Sequence, residues 1–345
     1  MKTKFNVIQV GLGPMGRLIA KLIVERENLD LVGAVDIDPN LKNKRLEEIL
    51  NLPKGSDLLI DSNLGRLISE KKVDVVIVAT SSSLEKVASL IKQAIGAKIN
   101  VISICEELSY PFQFFPELSK ELDELAKTRG VSVVGTGINP GYLMDLLPIV
   151  LTAPCQNVNK IQVTRMMNSA RRREPFQRKI GTGLSPEEFQ QKISDKEITG
   201  HVGLIQSIQM ILAALGMDYD EIVEFPPKAI ITEEEFTTSY GVTIPQGFVC
   251  GLQSIAKARK NNSDIISLDF VAYAGDHDEY DSIIIEGTPR ISQKIEGGVH
   301  GDLGTSAMVV NLIPKIIKAP PGLLTMKDLP VPCNTKNIWK DKLHF

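Results

Sequence analysis

Short β-rich runs alternate with helical patterns over the first 140 residues, and this alternation constrains the fold more than any other feature. The runs are apolar nearly throughout: FNVIQV (5–10), LVGAVD (31–36), VDVVIVAT (73–80), NVISIC (100–105) and VSVVGT (131–136). Apolar residues after the first run recur at helical steps: Met15, Leu18, Ile19, Leu22 and Ile23. Apolar strands separated by helices predict an α/β fold with a doubly wound parallel sheet, covered on both faces.

The hydrophobic pattern changes after about residue 140, where longer strands are predicted. They are KIQVTRMMN (160–168), GFVCGLQSIAKAR (247–259) and IISLDFVAYAG (265–275). KNNSD (260–264) has the residues of a hairpin turn. Ser185 and Glu188 fit a capping box that begins a helix, and further helices are predicted over about 201–215 and 303–318. These patterns predict a second α+β domain with a mainly antiparallel sheet.

A glycine-rich loop, GLGPMG (11–16), follows the first strand and opens the first helix. Gly11 permits a tight turn, Gly13 lets the backbone approach a pyrophosphate, and Gly16 allows close packing of helix on strand. The helix N-terminus, which includes Pro14 and Met15, supplies free N–H groups and a partial positive charge. The sequence therefore predicts a dinucleotide-binding Rossmann domain. We expect it to span 1–140, a substrate and dimerisation domain to span 141–300, and a helix and tail (301–345) to return to the first domain.

The predicted cofactor is NAD. Asp36 ends the second strand, where its carboxylate can accept hydrogen bonds from ribose hydroxyls and would repel a 2′-phosphate. Lys42, Lys44 and Arg45 follow closely, so NADP remains possible. At the end of a later strand the small residues Ala79, Thr80, Ser81 and Ser82 suit a backbone that passes beneath the cofactor, although an ordinary capped turn would look the same.

The composition fits an enzyme of small molecules. The 345 residues carry a net charge of −3, with 43% hydrophobic and 23% charged residues, which gives no reason to expect nucleic-acid or membrane binding. Four scattered cysteines without a CxxC spacing suit a reducing compartment. With no predicted signal peptide or membrane span, we expect a cytoplasmic protein, and the antiparallel sheet makes a homodimer plausible.

Three candidate catalytic residues lie at the end of the strand NVISIC and directly after it: Cys105, Glu106 and Glu107. Ligands collect at the carboxyl ends of strands in a doubly wound sheet, so a nicotinamide is expected nearby. A lone cysteine at a strand end is more often a small buried hydrophobe than a nucleophile. A carboxylate there can stabilise an iminium ion and serve as a base. Neighbouring side chains of an extended segment point in opposite directions, and Glu106 is preferred because it lies nearer the strand.

Several motifs together resemble the 2,4-diaminopentanoate dehydrogenase family, which includes NAD(P)-dependent amine dehydrogenases and is distantly similar to dihydrodipicolinate reductase. They are GLGPMG, VAT (78–80), ICEELSYP (104–111), GTGINPG (135–141), SARRREPFQRKIGTGLSPEEF (169–189), GHVGLIQS (200–207) and HGDLGTSAMVVNLIPKIIKAPPGLLTMKDLP (300–330). The resemblance implies oxidative deamination of 2,4-diaminopentanoate to 2-amino-4-oxopentanoate and ammonia, or reductive amination in reverse. It also implies a catalytic carboxylate at Glu106 or Glu107.

The second domain supplies the predicted substrate-binding residues. Arg171, Arg172 or Arg178 could clamp a substrate carboxylate, or could equally form ion pairs in a solvated loop. Asn139, in a strong Asn-Pro-Gly turn, could hydrogen-bond substrate or nicotinamide. The remaining candidates are Asn168, His201 and His300. The acidic run GDHDEYD (275–281) lacks metal-ligand spacing and is interpreted as a solvated turn, so no metal is predicted.

Two other functions fit the same sequence. One is a semialdehyde dehydrogenase that depends on Cys105 as its nucleophile. The other is a non-catalytic sensor that binds NAD without turning over an amine.

Overall fold

The computed structural model describes residues 3–52, 58–172, 174–239, 241–275 and 277–342, apart from the side chains of Arg171, Pro175 and Lys342. The chain divides into two compact units. Unit 1 comprises Met1–Tyr142 and His300–Phe345, and unit 2 comprises Leu143–Val299.

Unit 1 is built on a seven-stranded sheet. Its strands are β1 Phe5–Val10, β2 Leu29–Val35, β3 Ile60–Asp61, β4 Val75–Val78, β5 Asn100–Ser103, β6 Ser132–Gly135 and β16 Gly322–Leu324. They lie in the order β16-β6-β5-β4-β1-β2-β3, and every pairing is parallel. The order reverses between β1 and β4, which is the switch point where this class of sheet binds its ligands. The predicted doubly wound α/β fold is confirmed.

Six helices accompany this sheet in the described part of unit 1. They are α1 Pro14–Val24, α2 Leu46–Leu50, α3 Leu64–Glu70, α4 Leu84–Gly96, α5 Pro116–Arg129 and α10 Gly301–Ile316. The apolar stripes of α4 and α5 contribute Val87, Ile91 and Leu122 to a core that the strands β4, β5 and β6 complete. These strands are buried at almost every position, as expected for a parallel sheet covered on both faces.

The C-terminal segment adds the edge strand β16, which pairs with β6 from Gly322↔Ser132 to Leu324↔Val134. Leu323 is buried in the unit 1 core, and the Ser132 hydroxyl donates to the Pro320 carbonyl at 2.9 Å. The sequence predicts only a helix and a tail here, so the strand is an addition to the expected architecture.

Unit 2 contains a second seven-stranded sheet and a two-stranded ribbon. The strands are β7 Asn157–Asn168, β8 Glu221–Glu224, β9 Lys228–Ile231, β10 Phe236–Thr237, β11 Thr243–Ile244, β12 Val249–Lys260, β13 Ser263–Tyr273, β14 Tyr280–Thr288 and β15 Ile291–Glu296. The helices are α6 Leu146–Leu151, α7 Glu174–Lys179, α8 Pro186–Ser194 and α9 Leu204–Leu215. The main sheet has the order β15-β14-β7-β13-β12-β8, with β9 also paired to β12. Among the described residues of this sheet, only β7 and β13 pair in parallel, so the sheet is mainly antiparallel, as predicted.

Two local predictions in unit 2 are confirmed. Asn261 (φ 50°) and Asn262 (φ 60°) form the two-residue turn between β12 and β13, with Lys260 opposite Ser263. A two-residue hairpin turn whose twist matches that of the flanking strands needs a positive φ at both of its residues. Ser185 and Glu188 make the reciprocal bonds of a capping box at the start of α8.

No helix in the described part of the chain combines the length and the apolar character needed to cross a membrane.

Candidate active site

The glycine-rich loop between β1 and α1 has the shape of a pyrophosphate cradle. Gly11 has a φ of +88°, and a Cβ there would lie 2.4 Å from the Ala79 carbonyl oxygen. A Cβ on Gly16 would lie 1.9 Å from the Gly11 carbonyl oxygen. A Cβ on Gly13 would meet nothing within 4 Å, so the loop is packed tightly at two glycines and open at the third. The open side is where a ligand can approach the backbone.

The N-terminus of α1 faces this open side without a side-chain cap. Gly13 is the N-cap residue and Pro14 the first helical residue, and the first turn carries no acidic residue. The free N–H groups and the partial positive charge of the helix end favour a bound phosphate. These residues fit the dinucleotide that the sequence predicts.

Asp36 lies just past β2, and its carboxylate is fixed beside the glycine loop. One oxygen accepts from the Leu12 N–H at 2.6 Å and the other from the Asp38 N–H at 2.9 Å. Each carboxylate oxygen keeps a further lone pair, which is available to a ribose hydroxyl. Asp36 therefore holds the loop and can contact a cofactor.

The segment after β4 contacts both the glycine loop and the turn after β5. Ala79 and Thr80 lie against Gly11, and the Ala79 N–H donates to the Val10 carbonyl at 2.8 Å. The Ser81 hydroxyl accepts from the Ser83 N–H at 3.1 Å, and the Ser82 carbonyl accepts from the Cys105 thiol at 3.0 Å. Ser81 thus makes a local turn contact and Ser82 contacts the turn after β5, while the Thr80 side chain is exposed beside the loop.

Glu106 and Glu107 begin a 3-10 turn, Glu106–Ser109, that follows β5. The expectation of an extended segment here is wrong because the chain turns directly after Cys105. A Glu107 carboxylate oxygen accepts from the N–H of Leu84, the first residue of α4, at 2.7 Å. The Glu106 carboxylate has no hydrogen-bond or ion-pair partner among the described residues and is half-buried. Of the two carboxylates, Glu106 is the one that is open to a ligand.

Cys105 does not have the environment of a nucleophile. Its side chain is 1% exposed, and burial, together with the nearby Glu106 and Glu107 carboxylates, raises the pKa of the thiol to about 12. A nucleophilic cysteine needs a lowered pKa, since the thiolate is the reactive form. The residue is a small buried hydrophobe, as the sequence favours.

The loop after β6 carries polar atoms that no protein group satisfies. Both the amide oxygen and the amide nitrogen of Asn139 are shielded from solvent and lack a partner among the described residues, and so does the hydroxyl of Thr136. No sequence pattern points to Thr136. A Cβ on Gly135 would lie 2.6 Å from the Leu108 carbonyl carbon, so the end of β6 contacts the turn that carries Glu106.

The predicted arginines have different surroundings. Arg172 is largely buried and donates to Glu279 at 2.7 Å, while its Nε is buried without a partner in the described chain. Arg178 is 80% exposed and pairs with Glu174 one helical turn away. The side chain of Arg171 and all of Arg173 lie outside the described residues.

Asn168 lines a cavity of about 830 Å³ in unit 2, together with Phe236, Ser239, His277 and Glu279. Its amide is engaged by backbone: the nitrogen donates to the Gly275 carbonyl at 2.7 Å, and the oxygen accepts from the Ala170 N–H at 3.0 Å. Asn168 thus shapes one wall of the cavity.

The two predicted histidines are in contrasting environments. The His201 ring stacks on Phe270 with centroids 4.3 Å apart, and desolvation, with the nearby positive charges of Arg165 and Lys179, lowers its pKa to about 3. His201 is therefore neutral at physiological pH. His300 is exposed and caps α10, where its Nδ1 accepts from the Leu303 N–H at 3.5 Å.

The interpretation of residues 275–281 as a solvated turn is wrong at Asp281. Asp281 is buried in β14 and pairs with the buried Arg165 at 3.1 Å, because β14 lies beside β7 in the sheet. Both side chains also form hydrogen bonds with the backbone of Val299: Arg165 donates to its carbonyl, and the Asp281 carboxylate accepts from its N–H. No local sequence pattern indicates this pair, since its partners are far apart in the chain. The described residues contain no group of three or more potential metal ligands.

The strand order, the glycine loop and the uncapped helix end define an NAD-binding oxidoreductase, and residues 5–136 match the model of the oxidoreductase family with an NAD-binding Rossmann fold. Residues 142–344 match the model of the 2,4-diaminopentanoate dehydrogenase C-terminal domain. The chain is 37% identical to 2,4-diaminopentanoate dehydrogenase of Acetoanaerobium sticklandii, over 95% of this chain and 94% of that protein. It belongs to the 2,4-diaminopentanoate dehydrogenase family.

Solved structures share the fold at low sequence identity. The amine dehydrogenase of Mycobacterium smegmatis superposes with a TM-score of 0.82 at 20% identity, covering 97% of this chain and 98% of that chain. Dihydrodipicolinate reductase of Paenisporosarcina sp. TG-14 superposes with a TM-score of 0.53 at 14% identity, covering 94% and 99%.

Proposed function

We propose that this protein catalyses the NAD-dependent oxidative deamination of 2,4-diaminopentanoate to 2-amino-4-oxopentanoate and ammonia, and the reverse reductive amination. The observation that carries the proposal is the Glu106 carboxylate, which is half-buried without a protein partner in the described chain. It follows β5, near the switch point of the sheet. Family membership supports the choice of substrate.

The glycine loop and Asp36 would hold NAD, which would supply the acceptor for the hydride from the carbon that carries the amine. The Glu106 carboxylate stabilises the positive charge that then develops on the substrate nitrogen. It next takes a proton from the water molecule whose oxygen attacks that carbon, and it returns this proton to the nitrogen of the resulting carbinolamine. The carbon–nitrogen bond then breaks and ammonia leaves, while the hydroxyl proton passes to the Glu106 carboxylate and the carbonyl of 2-amino-4-oxopentanoate forms. Glu107 has a different part in this proposal, since its bond to the start of α4 holds the turn in place.

The preferred cofactor is NAD rather than NADP. Asp36 is expected at the adenosine ribose, where its negative charge would repel a 2′-phosphate. Gly11, Gly13, Pro14, Met15 and Gly16 form the pyrophosphate site, and the segment from Ala79 to Ser82 forms the adjoining wall.

Arg172 is our candidate for the anchor of the substrate carboxylate. Its Nε is a buried donor without a partner in the described chain, whereas Arg178 is highly exposed and paired within its own helix. A buried guanidinium donor can bind a carboxylate strongly. Replacing Arg172 with Lys is expected to raise the KM for the amine about tenfold. Arg178→Lys is the matched control and should leave the KM unchanged.

The deciding experiment measures initial rates of NAD and NADP reduction with 2,4-diaminopentanoate for the wild type, Glu106→Gln and Glu107→Gln. We expect turnover by the wild type, faster with NAD, and a loss of at least a hundredfold in kcat for Glu106→Gln. Glu107→Gln should retain most of the activity but unfold at a lower temperature. A silent Glu107 variant beside an active Glu106 variant would reverse the two roles.

The wild-type result also separates the other candidate functions. Tight NAD binding without turnover of any amine would favour the sensor. Phosphate-dependent oxidation of a semialdehyde that Cys105→Ala abolishes would favour the acyl-enzyme mechanism, which the raised pKa of Cys105 opposes.

The same proposal includes a homodimer in the cytoplasm. One face of the unit 2 sheet is only half-buried and includes Met166, Ile255 and Ile284, a pattern that suits contact with a second copy. Sedimentation velocity is expected to give a dimer for the wild type and a monomer for Ile284→Glu. A wild-type monomer would contradict this part. The four free cysteines suit a reducing compartment.

A further inference from the structure

Asn139 and Thr136 lie in one tight loop at the carboxyl end of β6. A Cβ on Gly141 would lie 2.4 Å from the Gly137 nitrogen, and one on Gly137 would lie 3.1 Å from the Pro140 oxygen. From α10, the Thr305 hydroxyl accepts from the Ile138 N–H at 3.2 Å. The loop is therefore packed closely on itself and held from a second element, so its side chains are presented in fixed positions.

Three polar atoms of this loop have no partner among the described residues: the amide oxygen and nitrogen of Asn139 and the hydroxyl oxygen of Thr136. Thr136 is 3% exposed. Buried donors and acceptors are nearly always paired, because each unpaired one is costly to remove from water. An amide that lacks partners for both of its ends is best explained by a ligand that supplies both a donor and an acceptor.

We infer that Asn139, assisted by Thr136, binds the carboxamide of the nicotinamide ring. This inference rests on the proposed NAD-dependent function. A carboxamide offers one C=O and one NH2, which are the complements of the Asn139 NH2 and C=O. The loop lies at the carboxyl ends of the strands, close to Glu106. β6 pairs with β5, which the Glu106 turn follows, and Gly135 contacts that turn.

Pairing at both ends of the carboxamide would fix the rotation of the nicotinamide ring. The ring could then present only one face for hydride transfer. Asn139 would thus be a positioning residue for the cofactor rather than a ligand of the substrate.

The test compares dissociation constants by titration calorimetry for NAD, 3-acetylpyridine adenine dinucleotide and ADP-ribose. The acetylpyridine analogue lacks the amide NH2, and ADP-ribose lacks the whole nicotinamide. Variants are Asn139→Leu and Thr136→Val, which keep side-chain shape without the polar atoms. Binding is read without any amine, so the result does not depend on the proposed substrate.

The wild type is expected to bind NAD roughly tenfold more tightly than the acetylpyridine analogue, as for one or two lost hydrogen bonds. Asn139→Leu should weaken NAD binding by a similar factor and remove that difference, with ADP-ribose binding unchanged as proof of a folded site. Thr136→Val should cause a smaller loss in the same direction. If Asn139→Leu retains the full wild-type discrimination between NAD and the analogue, the inference is overturned. Unchanged NAD binding by Asn139→Leu, beside a raised KM for the amine in the initial-rate assay described above, would also overturn it and assign Asn139 to the substrate.

Discussion

Glu106 and Glu107 are adjacent residues of the same type, yet their surroundings differ. The Glu107 carboxylate accepts from the first N–H of α4, where the partial positive charge of the helix end favours it. The Glu106 carboxylate has no such partner within the described chain. A local turn ties one carboxylate to a helix end and leaves the other open, and residue type alone could not distinguish them.

The glycines of the cofactor loop predict contrasting effects of one added methyl group. In Gly13→Ala the Cβ meets no protein atom, so the fold should keep its melting temperature while NAD affinity falls about tenfold, or ~1.4 kcal/mol. In Gly16→Ala the Cβ would clash with the Gly11 carbonyl, so the protein should lose more than about 3 kcal/mol of stability. Thermal unfolding and NAD titration of both variants check this. Unchanged NAD affinity in a folded Gly13→Ala would argue against the cradle.

The lowered pKa of His201 predicts that the folded protein loses stability in acid. Its pKa is lowered to about 3 by desolvation and by the charges of Arg165 and Lys179, whereas the unfolded chain takes up a proton near pH 6.5. Stability should therefore fall as the pH drops below about 6.5, since only the unfolded state gains the proton.

The measurement compares melting temperatures at pH 7.5 and pH 5. Because His201 is only half-buried, we expect its share of the loss at pH 5 to be about 1 kcal/mol, or roughly 2–4 °C. His201→Phe keeps the ring stack on Phe270 and should lose less stability on acidification. The exposed His300 supplies the control, His300→Gln, which should behave as the wild type does. Equal losses in all three proteins would contradict the assignment.

At the scale of elements, the hairpin of β12 and β13 depends on its two-residue turn. Asn262 adopts a φ of 60°, which asparagine tolerates and glycine prefers. We expect Asn262→Gly to raise the free energy of unfolding by about 0.5 kcal/mol and Asn262→Ala to lower it by about 1 kcal/mol. Urea unfolding followed in parallel for both variants measures the difference. A stabilising Ala would mean that the turn changes type.

Elements with a strong local signal could be predicted from the sequence, and those fixed by distant partners could not. The strand, glycine loop and helix at residues 5–24 carry their pattern within a few residues, as does the Asn-Asn turn. β3 and β16 have two and three residues, and each exists only because a neighbouring strand pairs with it. No periodicity can appear in a segment so short.

The same distinction holds for the candidate site. The sequence pointed to the glycine loop, Asp36 and the Glu106–Glu107 pair because each follows a recognisable strand. It could not point to Thr136, whose importance lies in an unsatisfied hydroxyl, nor to the Arg165–Asp281 pair, which sheet pairing brings together. Burial and partner counts depend on the folded chain, so sequence patterns carry little information about them.

At the scale of the whole molecule, unit 1 is assembled from both ends of the chain. The buried Leu323 of β16 packs in the same core as the strands of the cofactor-binding sheet. Leu323→Ala should therefore destabilise unit 1 by about 2–5 kcal/mol and lower its melting temperature. Val331, which is 53% exposed, offers a control: Val331→Ala should change stability by less than about 0.5 kcal/mol.

Thermal scans with and without NAD measure both variants. Because the cofactor binds unit 1, NAD should raise the melting temperature of the same unfolding transition that Leu323→Ala shifts to a lower temperature. If Leu323→Ala melts as the wild type does, the C-terminal strand is not part of the cooperative unit.

The late position of β16 has a consequence for synthesis on the ribosome. By the time β6 has emerged, every strand from β1 to β6 is available, but β6 remains an unprotected sheet edge until the whole of unit 2 has been translated. An apolar edge of this kind is a template for pairing with other chains. The nascent protein therefore passes through a long interval in which chaperone protection matters, and a message truncated before codon 322 would yield an aggregation-prone product.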